Sequence, residues 1–116
     1  MTDVNTIVKT AVDAIKDKKG EDIKVIDISN LSVIADYFII ASGNNINQNQ
    51  IIADEIEEKL HALGVSLKQI EGYDTANWIL LDFKDVIIHI FNKENRLFYD
   101  LERIWADGKF IDSDEL

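Results

Sequence analysis

Ser42-Gly43 stands where an apolar stretch gives way to a helical pattern, a place where backbone N–H groups and a helix dipole can hold an anion. Neither GxGxxG nor GxxxxGK[ST] accompanies it. A lone glycine at such a point is more simply what a strand-to-helix turn demands. Metal-dependent nucleotidyl transfer would need carboxylates converging on magnesium, commonly two aspartates at i and i+2 of one strand, so that both point the same way. None of the strand segments carries that pair, and Asp82 and Asp85 flank a turn where spacing does not set their directions. His61 follows Glu57 by four residues and forms an ordinary solvated helical pair. His89 lies inside the apolar run Ile87-Ile88-His89-Ile90-Phe91, where alternation places it with Ile87 and Phe91 and where an imidazole needs a hydrogen-bond partner. With no serine or cysteine nucleophile nearby, a satisfied structural histidine is the preferred reading. Two histidines are too few for a zinc centre, and no metal or cofactor is expected.

Recognition chemistry is better represented. In an extended Trp78-Ile79-Leu80-Leu81-Asp82, the residues Trp78, Leu80 and Asp82 share one face while Ile79 and Leu81 take the other. A strand apolar on both faces can simply be buried. Tryptophan and leucine beside a carboxylate are also the combination of an interface anchor flanked by charge. Glu71 and Asp74 can extend the negative rim. Further on, Arg96, Tyr99, Glu102 and Arg103 fall at i+3 and i+4 spacings that permit stacking or ion pairing, with surface stabilisation as the default.

The elements that must position these groups follow from periodicity. Val4, Ile7, Val8, Ala11 and Ile15 recur at helical spacing from about Asp3 to Lys18, with Thr2 or Asp3 as cap and Gly20 as stop. Ile23 to Ile28 and Tyr37 to Ala41 read as buried strands. Ile52, Ile56, Leu60 and Leu63 mark a helix stopped by Gly64. Leu67 to Glu71, Trp78 to Asp82 and Val86 to Phe91 read as strands joined by loops short enough to make antiparallel neighbours. Leu97, Leu101, Ile104 and Trp105 define a last helix that Asn92 can cap. Beyond Gly108 the acidic tail, Asp112 to Glu115, is expected to be loose. The order αββαβββα predicts an α/β (α+β) fold, a mixed five-stranded sheet flanked by helices. One domain over 1–108, followed by a short tail at 109–116, suits a chain of 116 residues.

Composition narrows the function classes. The absence of cysteine excludes disulfides and thiolate chemistry and fits a reducing cytoplasm. No apolar run approaches the ~20 residues of a membrane span, and no leader pattern opens the chain. Twenty-two acidic residues against 12 basic ones, a net charge of -10, oppose contact with phosphate backbones and favour a positively charged protein surface. A non-catalytic binding protein is the reading these features favour. A metal-dependent nucleotidyltransferase-like enzyme and a plain dimerisation module are the alternatives.

Five segments, Ala35-Asp36-Tyr37-Phe38-Ile39-Ile40-Ala41-Ser42-Gly43, Glu71-Gly72, Trp78 to Asp82, His89-Ile90-Phe91 and Arg96 to Trp105, occur in an order that resembles the ribosomal silencing factor, or Iojap-related, family. The resemblance runs from about Ile23 to Trp105, and its pattern falls on Asp36, Gly43, Glu71, Gly72, Trp78, Asp82, His89, Phe91, Arg96, Tyr99, Leu101, Glu102 and Trp105. It implies a fold similar to that of nucleotidyltransferases without their catalytic carboxylates. It also implies a factor, possible as a homodimer, that docks on protein fourteen of the large ribosomal subunit. Small-subunit joining is thereby blocked and translation repressed when nutrients fall. Where the family commonly continues Gly with Thr-Ser, this chain has Gly43-Asn44-Asn45, and asparagine can still cap the helix.

Overall fold

The computed structural model describes residues 3–116. Asp3 opens α1 (Val4–Asp17) by accepting the Thr6 N–H at 2.8 Å; Thr2, the other expected cap, lies outside the described residues. One face of α1, Ile7, Val8, Ala11, Val12, Ala14 and Ile15, is buried, as the spacing predicts. Strand β1 (Glu21–Asp27) then pairs antiparallel with β2 (Tyr37–Ser42). Helix α2 (Ile46–Ala62) begins at Asn45, whose carboxamide oxygen accepts the Gln48 N–H at 2.8 Å. It ends ahead of Gly64, which adopts the left-handed φ of +82° that glycine takes without penalty.

The hairpins β3 (Gln69–Glu71), β4 (Trp78–Asp82) and β5 (Val86–Phe91) are antiparallel, as their short loops require. β5 meets β2 in parallel, and the intervening α2 and β3–β4 supply the crossover that parallel pairing needs. Helices α3 (Lys93–Tyr99) and α4 (Leu101–Ile104) follow. The sheet has six strands in the order β3-β4-β5-β2-β1-β6, one more than expected, because the segment after Gly108 is ordered. Lys109–Ile111 forms β6 on the free edge of β1, where a lone edge strand gains a ladder. A 3-10 turn at Ser113–Glu115 comes next, and Asp114 pairs with Lys16 of α1 at 2.8 Å.

Two layers of core result. α1 and α2 cover one sheet face, built from Val25, Ile39, Ala41, Ile79, Leu81, Val86, Ile88 and Ile90. On the other face Ile26, Phe38, Ile40, Ile87 and Phe91 are buried, with Trp78, Leu80, Leu101 and Trp105 partly so. The expected single C-terminal helix is two: Asp100 adopts a left-handed φ of +49°, which an aspartate tolerates better than most residues, and ends α3. The chain thereby changes direction between Tyr99 and Trp105, and both rings come down on this second face.

Candidate docking face

Residues paired directly across a sheet project to the same side, so the register sets out the second face in rows. Glu71, Leu80, His89 and Ile40 form one row across β3, β4, β5 and β2; Gln69, Asp82, Ile87 and Phe38 form the next. Trp78 pairs with Phe91, and Phe91 with Ser42, in a third. Trp78, Leu80 and Asp82 do share a face, and all three are half-buried, while Ile79 and Leu81 point into the α1–α2 core. Glu71 joins them and is exposed. Asp82 also has a local duty: its Oδ1 accepts the Lys84 N–H at 2.8 Å and holds the β4–β5 turn, where Lys84 has a φ of +78°. Asp74 is set apart from the row. It is exposed in the 72–76 turn, which α2 ties down through Gln50 to the Tyr73 carbonyl and Asn49 to the Ala76 carbonyl.

Aromatic rings connect across this face. Trp78 stacks on Phe91 at 5.0 Å and meets Tyr99 of α3 at 4.6 Å; Phe38 makes T-shaped contacts with His89 at 4.8 Å and Trp105 at 5.1 Å. Contacts of this geometry hold planar side chains in fixed orientations. The Trp78 Nε1–H donates to His89 Nδ1 at 3.0 Å. His89 is only 3% exposed, and burial pulls its pKa from 6.5 to about 4, so the ring is neutral at physiological pH and carries its proton on Nε2. Among the described residues that Nε2–H has no partner, so the expectation of a satisfied histidine holds for one nitrogen and fails for the other.

Arg96 departs from the surface role expected of it. It is buried, donates to Ser42 Oγ at 2.9 Å, and reaches Glu102 across the Asp100 kink at 3.3 and 3.4 Å. One guanidinium thus ties the end of β2 to both short helices, a use for which its fixed fork of donors is suited. Tyr99 packs on Trp78 and not on an arginine, and Arg103 is exposed beside Asp100 at 3.7 Å. Leu101 and Trp105 pack inward on the second core, but Leu97 and Ile104, expected in the same buried seam, are 82% and 65% exposed, and Phe98 is 78% exposed. Three large apolar side chains are thus left in water on the helices bordering the face. Sequence reasoning assigned two of them inward because helical spacing continues across a kink it does not reveal.

The other motif residues are structural. Gly43 is buried, and a Cβ there would strike the Asn49 carboxamide oxygen. Its N–H donates to the Phe91 carbonyl and that of Asn44 to Gln48 Oε1, which commits these two donors within the chain. Asp36 joins the sheet ends through its backbone, its N–H donating to the Asp85 carbonyl and its carbonyl accepting from Ile28. The Asp-x-Asp at Asp112-Ser113-Asp114 lies in the terminal turn, where Asp112 Oδ1 accepts the Asp114 N–H and Asp114 pairs with Lys16. Gly72 has a φ of +75°, and a Cβ on it would run into the Trp78 carbonyl. Gly72→Ala therefore distorts the start of β4, with an expected loss of about 1–2 kcal/mol, read from the urea midpoint.

A family model described as ribosomal silencing factor during starvation matches residues 2–116. The chain is 42% identical over 109 residues to ribosomal silencing factor RsfS of Bacillus subtilis, covering 94% of this chain and 92% of that one. A crystal structure of a protein from Chromobacterium violaceum superposes with a TM-score of 0.89 at 32% identity, covering 90% of this chain and 88% of that one. A more distant mouse relative, named mitochondrial assembly of ribosomal large subunit protein 1, is 28% identical over 104 residues, 87% of this chain and 46% of that protein.

Proposed function

This chain belongs to the ribosomal silencing factor family, and from that premise we propose that it binds the large ribosomal subunit in the cytoplasm and represses translation, using the β4 face against a basic ribosomal protein. The observation that carries the reading is the row of half-buried Trp78, Leu80 and Asp82 with Glu71 beside it, bordered by the exposed Leu97, Phe98 and Ile104. An aromatic and aliphatic centre with a carboxylate rim is the composition of a protein interface whose partner is cationic. The large-subunit protein fourteen that the family resemblance implies is the partner we assign to it. The name of the mouse relative, which ties that protein to the large subunit, supports the same partner particle.

No chemistry is required of such a factor. The body measures 33 × 32 × 26 Å, bulk enough to hold two subunit faces apart wherever it sits between them. The net charge of -10 favours a basic protein surface and opposes the ribosomal RNA around it, so charge selects the landing place and volume does the blocking.

Co-sedimentation with isolated large subunits tests this. Wild type pellets with the subunits. Asp82→Asn keeps the Oδ1 that holds the Lys84 N–H but loses the charge, so it binds several-fold more weakly and with less dependence on salt; Asp82→Lys binds less than either. Failure of folded wild type to pellet, or equal binding by all three, would rule the reading out.

A further inference from the structure

We propose that His89 is the positioning residue of the docking face, holding the Trp78 indole through its Nδ1 in the orientation that meets the partner. The proposal rests on the reading of Trp78 as the anchor. Apolar contact sets part of the Trp78 side-chain environment: Phe91 stacks with the indole at 5.0 Å and Tyr99 meets it at 4.6 Å. Stacking of this kind tolerates rotation of the ring within its plane. Among the described residues the directional contact is the hydrogen bond from Nε1–H to His89 Nδ1 at 3.0 Å, and it removes that freedom.

The imidazole itself is held in turn. It is 3% exposed, Phe38 meets it edge-on at 4.8 Å, Phe91 lies nearly parallel at 6.2 Å with an interplanar angle of 12°, and its neighbours in register, Leu80 and Ile40, are apolar. A site so apolar would accommodate leucine or phenylalanine with less strain on hydrogen bonding, because the Nε2–H of His89 is buried without an acceptor among the described residues. Apolar packing alone gives no reason for an imidazole here. Its one satisfied atom points at Trp78, so the group that stability would replace is the group that orients the anchor. An anchor already in its bound orientation loses less freedom on docking, which is where binding gains from preorganisation.

The test separates orientation from packing. His89→Leu keeps an apolar body and deletes the acceptor; His89→Asn places an amide oxygen at the same branch position as Nδ1. Three quantities are measured on each: the urea midpoint, the indole N–H resonance of Trp78 and its exchange with water, and co-sedimentation with large subunits. Trp78→Phe identifies that resonance against Trp105. The expected result is that His89→Leu is as stable as wild type or more so, that its Trp78 indole proton shifts and exchanges faster, and that its affinity for large subunits falls about tenfold, the weight of one hydrogen bond. His89→Asn restores the resonance and most of the binding, and in a Trp78→Phe background His89→Leu causes no further loss.

An unmoved indole resonance in His89→Leu, or wild-type affinity despite a moved one, would overturn the proposal. So would a binding loss that merely tracks a lower urea midpoint. Should wild type itself not bind large subunits, the docking reading fails, whereas the resonance and exchange comparison still decides whether His89 orients the indole.

Discussion

Between pH 7 and pH 4 the folded protein should lose about 3 kcal/mol of stability through His89 alone, about 2 kcal/mol of it by pH 5. The sign follows from proton uptake. Unfolded, the imidazole titrates near 6.5; folded, burial holds it near 4, so across that window the unfolded chain binds more protons and acid favours it. Well above 6.5 the histidine is neutral in both states and the contribution levels off. A protonated ring would also forfeit the Trp78 hydrogen bond, because Nδ1 accepts only while unprotonated. Asp3, Glu21, Asp27 and Asp114 have carboxyls held below their ordinary range by hydrogen bonds and, for Glu21 and Asp114, by Lys93 and Lys16. Their stabilisation is lost only as pH falls further, toward and through their own lowered values. Urea midpoints of wild type and His89→Leu at pH 7 and pH 5 isolate the histidine: the gap between pH values should shrink by about 2 kcal/mol in the variant. An unchanged gap would mean that His89 is not the buried neutral ring described.

Truncation of Trp78 to Ala should reduce affinity for large subunits at least thirtyfold, about 2 kcal/mol or more, as expected of a half-buried aromatic at the centre of a contact. Binding and folding effects must be separated, because Trp78 also stacks on Phe91 and Tyr99. Ile79, its neighbour on β4, provides the contrast: it is fully buried in the α1–α2 core and projects away from Trp78. Ile79→Ala should cost about 2–5 kcal/mol of stability and leave the affinity of the folded fraction nearly unchanged. The two variants thus exchange phenotypes one residue apart, as a period of two requires. Equal binding losses at matched folded concentration would show that β4 does not present one face to the partner.

Much of this was legible in the residues. Alternation separates Trp78, Leu80 and Asp82 from Ile79 and Leu81 without any coordinates, and the loops between the three hairpin strands are too short for anything but antiparallel pairing. Asn45 as cap and Gly64 as stop bound α2 because their roles depend on local backbone chemistry alone. What sequence reading missed depends on partners distant in the chain. Lys109-Phe110-Ile111 is too short to announce a strand and becomes one because β1 offers a free edge. Arg96 reads as a surface cation until Ser42, 54 residues away, and Glu102 are seen to bond it. The left-handed Asp100 is invisible to a periodicity that continues on both sides of it, so the outward turn of Leu97 and Ile104 was missed together with the kink. The family resemblance reached the same motif residues by their order, while only the structure separates those on the second sheet face from those, such as Gly43 and Asp36, that hold the backbone.

Subunit joining, followed by light scattering after small subunits are added to large subunits saturated with the protein, addresses the proposed function most directly. The expected result is that joined particles fall in proportion to large subunits occupied, and that Asp82→Lys and Trp78→Ala at the same concentration leave joining intact. Joining at the undisturbed rate and extent, with co-sedimentation showing every large subunit occupied by wild type, would contradict it.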